Sequence, residues 1–225
     1  MLISKKYLFK QYKNIDCDFN EKIKKISKNK RVNAVVQNNG YQSISDPKRL
    51  KLTEKFFKNK KIILIDRDGV INHKALRGQY IYKWKEFKFI KRSVSSLQRL
   101  SKKGYSFIVI TNQAGVGRKL ILKKDLNEIH KKMTKYLLNK GIKILKIYVC
   151  PHHWLDNCDC RKPKPKLFFK ASEDFLLNLS NTIYIGDDKR DMVASKNAGC
   201  KGIYWKNSKK FEDFDKIIRN QINSK

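Results

Sequence analysis

The stretch "IILIDRDGVIN", residues 62–72, runs four apolar residues straight into two aspartates one position apart, followed by a glycine. A short apolar run rich in Ile suits a strand covered on both faces, as in the middle of a parallel sheet. On an extended strand end, Asp66 and Asp68 at i and i+2 project to one side while Arg67 points away. Gly69 then lets the chain turn sharply. Two carboxylates this close repel, so one holds its proton unless a cation intervenes. That split suits a division of labour, one group acting as nucleophile and the other as general acid, with a divalent ion neutralising the cluster.

Further strand-like runs follow at 105–111, 143–150, 182–187 and 201–205, and amphipathic stretches lie at about 93–103, 123–140, 165–177, 189–198 and 211–222. Strands alternating with helical crossovers predict a doubly wound parallel α/β sheet. Ligands in such folds sit beyond the carboxyl ends of the strands. The first strand ends in Asp66 and Asp68, the second in Thr111 and Asn112, the third in Cys150, and the fourth in Gly186, Asp187 and Asp188. Any one of these could be a helix cap. All four together place polar chemistry along one rim of the sheet.

The chain of 225 residues is long enough for one sizeable core. With 53 Lys+Arg against 20 Asp+Glu its formal charge is +33, which raises nucleic acid as a partner. The excess is spread out, however: residues 1–60 hold 16 basic and 5 acidic residues, and taking that +11 from +33 leaves +22 for the rest. A general compositional bias explains this better than a focused binding stripe, so a nucleic-acid partner is not expected, although a positive surface would help collect a phosphorylated substrate. No run approaches the length of a membrane span, and "MLISKKYLFKQYK" lacks the order of a secretory signal. A cytoplasmic monomer with no membrane partner is the expectation. His73 and His130 read as surface residues, and Cys200 as a small core residue.

The segment "CPHHWLDNCDC", residues 150–160, gathers Cys150, Cys158 and Cys160 with two histidines, His152 and His153. Three thiolates and one imidazole form a tetrahedral donor set for zinc, and four protein ligands leave no open position, so the metal would be structural.

The four blocks "DRDGVIN", "ITNQAGVGR", "RKPKP" and "IGDDKRD", in this order and at these strand ends, resemble the signature motifs of the haloacid dehalogenase superfamily of phosphatases. The resemblance covers residues 61–205 and implies that Asp66 attacks phosphorus to form an aspartyl-phosphate, while Asp68 protonates the leaving oxygen and then activates water. It also implies that Thr111, Asn112 and Gln113 hold phosphoryl oxygens and that Lys162 neutralises charge on the transferring group. Magnesium would take Asp66, Asp68 through its backbone carbonyl, and Asp187. Asp191 would either orient that shell or cap the following helix.

A zinc loop between the second and third motifs is similar to that of the D-glycero-D-manno-heptose 1,7-bisphosphate 7-phosphatases and of the histidinol-phosphate phosphatases. This similarity selects His152 as the imidazole ligand beside Cys150, Cys158 and Cys160. It implies that Arg161 grips the distal part of the substrate, for which its planar fork is suited, and that Tyr80 is a substrate contact. "TNQAGVGR", "CPHH" and Tyr80 favour the heptose enzymes, which serve nucleotide-activated heptose synthesis for cell-surface polysaccharide. The short Cys spacing and "KPKPKL" are equally at home in the histidinol group. A polynucleotide 3'-phosphatase is the third reading.

Two departures stand out: the loop from Asn72 to Tyr80 is longer than usual, and Asp188 stands where heptose phosphatases carry a substrate-binding lysine, for which Lys189 is the candidate replacement. Residues 1–60 read as a basic extension ahead of the phosphatase domain at 61–225. "KRVNAVVQNNGYQSISDPKRLKLTEKFF" within the extension is similar to the end of a sugar-nucleotidyltransferase domain.

Overall fold

Residues Ile62–Ile65 form β1 of the computed structural model, which describes residues 46–49, 51, 60–76 and 78–223. Four more strands follow, β2 at Ser106–Asn112, β3 at Ile144–Cys150, β4 at Ile183–Gly186 and β5 at Lys201–Tyr204. All neighbours are parallel, in the order β3-β2-β1-β4-β5. The connecting helices are α1 (Lys91–Lys102), the single turn α2 (Ala114–Gly117), α3 (Lys123–Asn139), α4 (Lys166–Phe175), α5 (Lys189–Ala198) and α6 (Phe214–Asn223). The expected α/β class and each expected strand and helix are present. The expected extension at 1–60 falls, apart from 46–49, 51 and 60, outside the described residues, as does Cys17.

Alternation along the strands sorts the core into two layers. Ile63 and Ile65 of β1 pack with Phe107, Val109, Ile185 and Ile203 beneath α1, α3 and α6. Leu64, Ile108, Ile110 and Tyr184 face the opposite way, onto Phe168 and Ala171 of α4 and Ala194 and Ala198 of α5. Ile63, Leu64 and Ile65 are at most 1% exposed, which is why this strand carries no polar face. Burying each such side chain stabilises the fold by about 1.5–3 kcal/mol. Helices α1 and α6 are also joined through Arg92 and Arg99 to Asp213 and Asp215.

The strand order reverses beside β1. From there the chain runs out through β2 and β3, then crosses back to β4 on β1's other side. This reversal opens the crevice in which such sheets bind ligands. The register Ile65↔Ile185 sets Asp66 level with Gly186, the residue before Asp187, and so brings together two acids that stand 121 positions apart in sequence. Among the described residues no helix is long and apolar enough to cross a membrane.

Candidate active site

Asp66 leaves β1 still held by the ladder, its amide donating to the Ile185 carbonyl at 2.9 Å. Its carboxylate meets the Lys162 ammonium at 2.8 Å, and the same ammonium lies 2.8 Å from Asp191 Oδ1. The Ile110 carbonyl and the Tyr184 hydroxyl complete the lysine's contacts, at 2.9 and 2.8 Å. Lys162 is thus 3% exposed despite its charge. Asn112 anchors it from the next strand, its amide pairing reciprocally with the Lys162 backbone carbonyl and N–H, both at 3.1 Å. Burial alone would lower the ammonium's pKa, but Asp66 and Asp191 outweigh it and raise it. One cation cannot balance two carboxylates. Burial first, then the like charges of Asp191 and Asp68, outweigh Lys162 and push Asp66 up to about 7.

Asp68 is treated differently by its surroundings. Burial would raise it too, yet the Arg67 guanidinium and hydrogen bonds from Arg67, Asn72 and Gln113 hold it below its ordinary value. Oδ1 accepts from Arg67 Nε and Nη2 at 3.2 and 2.9 Å and from Asn72 Nδ2 at 2.9 Å. Oδ2 accepts from Gln113 Nε2 at 2.8 Å. Gln113 Nε2 also donates to the Thr111 hydroxyl at 2.8 Å, so the Gln113 amide is turned toward Asp68 rather than into the cavity. The two aspartates therefore sit on one rim with opposite proton affinities, but from the protein's own groups alone the direction is the reverse of the expected one: the expected nucleophile Asp66 is raised and the expected acid Asp68 is lowered.

Two expectations need correcting here. Arg67 does not simply point away: it is 1% exposed, curls back to Asp68 and reaches His130 Nε2 with Nη1 at 3.0 Å. His130 is not a surface residue but 8% exposed on the buried face of α3. Burial, and then the adjacent Arg67, lower its pKa to about 3, so it stays neutral. His73 is exposed as expected, and Cys200 is half-buried against the second core layer.

Asp187 follows β4, buried, with one oxygen 2.6 Å from the Lys74 ammonium. Burial raises its pKa against the influence of Lys74. Its other oxygen, Oδ1, is buried without a hydrogen-bond partner. Oxygens of Asp66, Asp187 and Asp191 lie within 4.8 Å of one another, a hard donor cluster of the kind magnesium takes. Both Asp191 oxygens are engaged, however: Oδ1 faces Lys162 and Tyr184, and Oδ2 accepts the Asp187 and Asp188 amides at 3.2 Å. Asp191 thus caps α5 in a reciprocal pairing with Asp188, one of the two alternatives expected for it, and also holds Lys162. Asp66 and the unpartnered oxygen of Asp187 are the groups that fit an ion. Gly69, at φ +90°, keeps this space open, since a Cβ there would lie 2.0 Å from Asp187 Oδ2.

The acidic rim floors a cavity of about 150 Å³ whose walls include Tyr80, Thr111, Asn112, Trp154, Arg161 and Lys74. Arg161 Nη1 is buried there without a partner. Asp188 and Arg190 also line it, while Lys189, the expected replacement lysine, is exposed and does not. Arg190 grips Asp188 with Nε and Nη2, both at 3.0 Å, and holds its carboxyl well below the usual range. Lys74, Trp154 and Arg190 were missed in the sequence. Lys74 could have been suspected from the unusual loop length, but nothing separates Arg190 from the many other basic residues.

Cys150, His152, Cys158 and Cys160 converge within the segment that supplies Trp154 and Arg161 to the cavity. Cys158 lies 3.6 Å from both other sulfurs, and His152 Nδ1 is 3.8 and 3.1 Å from Cys150 and Cys160. A zinc tetrahedron with 2.3 Å metal–sulfur bonds has edges of about 3.8 Å, so the set fits that ion. His153 is directed elsewhere: its ring nitrogen accepts from the Leu155 amide at 3.2 Å and helps cap the turn Trp154–Asp156.

Comparison with known proteins agrees with this layout. A family model described as polynucleotide kinase 3 phosphatase matches residues 61–223. A D-glycero-alpha-D-manno-heptose-1,7-bisphosphate 7-phosphatase of Campylobacter jejuni is 36% identical over 161 residues, 71% of this chain and 91% of that protein. A histidine biosynthesis bifunctional protein of Buchnera aphidicola is 35% identical over 146 residues, 65% of this chain but only 41% of that protein. The crystal structure of a D,D-heptose 1,7-bisphosphate phosphatase from B. bronchiseptica, complexed with magnesium and phosphate, matches with a TM-score of 0.66 at 28% identity, covering 74% of this chain and 100% of that one. With its motifs, sheet order and relatives in agreement, the chain belongs to the polynucleotide kinase 3 phosphatase family and is a phosphatase of the haloacid dehalogenase superfamily.

Proposed function

We propose that the chain removes the 7-phosphate of D-glycero-D-manno-heptose 1,7-bisphosphate, by way of an aspartyl-phosphate, in the synthesis of nucleotide-activated heptose. The observation that carries this reading is the placement of the Asp66–Asp68 pair at the floor of a small cavity to which the Cys/His loop supplies Arg161 and Trp154. About 150 Å³ suits part of a small phosphorylated sugar rather than a polynucleotide strand. The likeness to the heptose enzyme of Campylobacter jejuni across 91% of its length supports the same choice.

In this mechanism Asp66, which the charge of Lys162 and of the magnesium it would help hold keeps ionised, attacks phosphorus through a carboxylate oxygen, and the P–O bond to the sugar breaks, its electron pair leaving on the sugar oxygen. Asp68 gives that oxygen a proton. Its hydrogen bonds keep it ionised at rest, so it first takes that proton from solvent as the negative charge of an arriving phosphoryl group raises its proton affinity. Asp68 then takes a proton from water as the water oxygen attacks the aspartyl-phosphate, releasing inorganic phosphate and restoring Asp66. Lys162, Thr111 and Asn112 stabilise the transferring oxygens. Asp66, the Asp68 backbone carbonyl and Asp187 would hold magnesium, which supplies neutralising charge on the acidic cluster and the phosphoryl oxygens. Zinc on Cys150, His152, Cys158 and Cys160 would fix the loop that presents Trp154 and Arg161.

Histidinol phosphate is the second reading, favoured by the Buchnera aphidicola relative. Phosphate release from heptose 1,7-bisphosphate, histidinol phosphate and a 3'-phosphorylated oligonucleotide tests the choice. Preference for the heptose by at least tenfold in kcat/KM is expected; preference for either other substrate overturns it.

A further inference from the structure

Arg118 directly follows α2, and its guanidinium carbon lies 5.8 Å from the centroid of the Tyr80 ring and 5.2 Å from that of Trp154. Its Nη1 also donates to the Tyr80 hydroxyl at 3.3 Å. Both rings line the cavity, but they arrive on different segments: Tyr80 ends the loop that leaves β1, and Trp154 belongs to the loop bearing the Cys/His cluster. Arg118 is the one cation placed against both rings among the described residues.

Backbone contacts fix the base of this arrangement. The Gly117 amide donates to the Pro151 carbonyl at 2.7 Å, and a Cβ on Gly117 would come within 2.6 Å of the His153 amide nitrogen. The Gln113 amide likewise donates to the Cys150 carbonyl at 2.7 Å. The segments before Arg118 and before Trp154 are thus seated on one another with no side chain between them. The His153 ring lies 3.8 Å from that of Trp154, tilted by 33°. The Tyr80 loop is tied to the end of β4 by Lys74, 2.6 Å from Asp187, and Arg118 is the side chain that joins its aromatic ring to Trp154.

We propose that Arg118 is a positioning residue, a cationic clasp that holds Tyr80 and Trp154 as facing walls of the cavity mouth and so decides which leaving groups the site accepts. The inference rests on the reading of Asp66 and Asp68 as the catalytic pair. Ring quadrupoles attract a cation over their faces, and a flat guanidinium can lie against two rings at once. A lysine ammonium offers a compact charge without that plane. The walls would pack on the carbon skeleton of a sugar or amino-alcohol leaving group, whereas an ester too small to reach the mouth would not use them.

The test measures kcat and KM of wild type, Arg118→Lys, Arg118→Met, Trp154→Leu and the double variant Arg118→Met/Trp154→Leu, with magnesium present. The substrates are heptose 1,7-bisphosphate, histidinol phosphate and, as the small reference, acetyl phosphate. Arg118→Met should raise KM about tenfold for whichever bulky substrate the wild type prefers, keep kcat within about threefold, and leave kcat/KM for acetyl phosphate within about twofold. Arg118→Lys should not rescue, and the double variant should cost no more than the larger single loss. Iodide quenching of the Trp154 fluorescence, taken as the difference from Trp154→Leu, should increase in Arg118→Met. Equal losses on bulky and small substrates, or none on the bulky ones, would overturn the clasp. If the wild type hydrolyses none of the three, the catalytic reading falls on its own, and unchanged quenching would then sink the clasp separately.

Discussion

Replacing Lys162 by Met removes the cation on which the site converges while keeping a flexible side chain of similar reach. The native ammonium lies 2.8 Å from both Asp66 and Asp191 and donates to the Ile110 carbonyl and the Tyr184 hydroxyl. Lys162 and Asp191 are 3% and 2% exposed, so water cannot take over these contacts. Removing one partner of such a buried pair costs about 3–5 kcal/mol, a fall in Tm of about 6–20 °C for a domain of this size. The pH dependence gives the reasoning a sign. Asp66 moves from 3.8 when unfolded to about 7 when folded, so the stability it contributes is complete below pH 3.8 and is lost as pH rises through 7, at up to about 1.4 kcal/mol per pH unit. Without Lys162 the folded value rises above 7, and the loss continues to higher pH. The gap between wild type and Lys162→Met should therefore be flat below about pH 7 and widen toward about pH 9. Urea unfolding of both proteins in magnesium-free buffer, at about pH 5.5, 7 and 8.5, measures this directly, and phosphate release with magnesium should show kcat lower by about 10²–10³. A stability loss under about 1 kcal/mol, or a gap that narrows as pH rises, would refute the argument.

Asp66→Asn should abolish turnover and Asp68→Asn should lower kcat by about 10²–10⁴, both read as phosphate release under saturating substrate. Gly69→Ala places a methyl group 2.0 Å from Asp187 Oδ2 at φ +90°, so a rise of at least about tenfold in the magnesium concentration needed for half-maximal activity is expected, together with a lower Tm. His130 falls from 6.5 to about 3 on folding, so stability is full above pH 6.5 and is lost as pH drops toward 3; His130→Gln should flatten that slope of up to about 1.4 kcal/mol per pH unit in acid unfolding curves. Metal analysis should find one zinc per chain, and Cys158→Ser should lose it with a fall in Tm, since metal binding there is part of folding.

The sheet was legible because it is written in a strong code: Ile63, Leu64 and Ile65 could only be buried, and polar residues or a cysteine end the first four strands on the same side. Asp66, Asp68, Asp187 and the three clustered cysteines were legible for a related reason, since acids and thiols are scarce in a chain so rich in lysine. The basic members of the site were hidden by that same richness. Lys162 stood out only through its motif, whereas Lys74 and Arg190 owe their places to loop shape and helix direction. Arg67 and His130 were misread because alternation predicts where a Cβ points, not where a long guanidinium ends. Their pairing joins the turn after β1 to α3, 63 positions away, a distance that no local pattern encodes.

The strand order carries a further consequence for the life of the chain on the ribosome. Because β1 is flanked by β2 on one side and by β4 on the other, Asp66 cannot meet Asp187 until the segment through about residue 191 has emerged. A nascent or prematurely ended chain can pair β1, β2 and β3 yet carries no assembled centre, so incomplete copies cannot hydrolyse cellular phosphate esters. Such copies would also present the bare backbone edge of β1, an apolar strand with unpaired amides and carbonyls, which is the surface through which truncated products would stick to one another and be recognised for disposal.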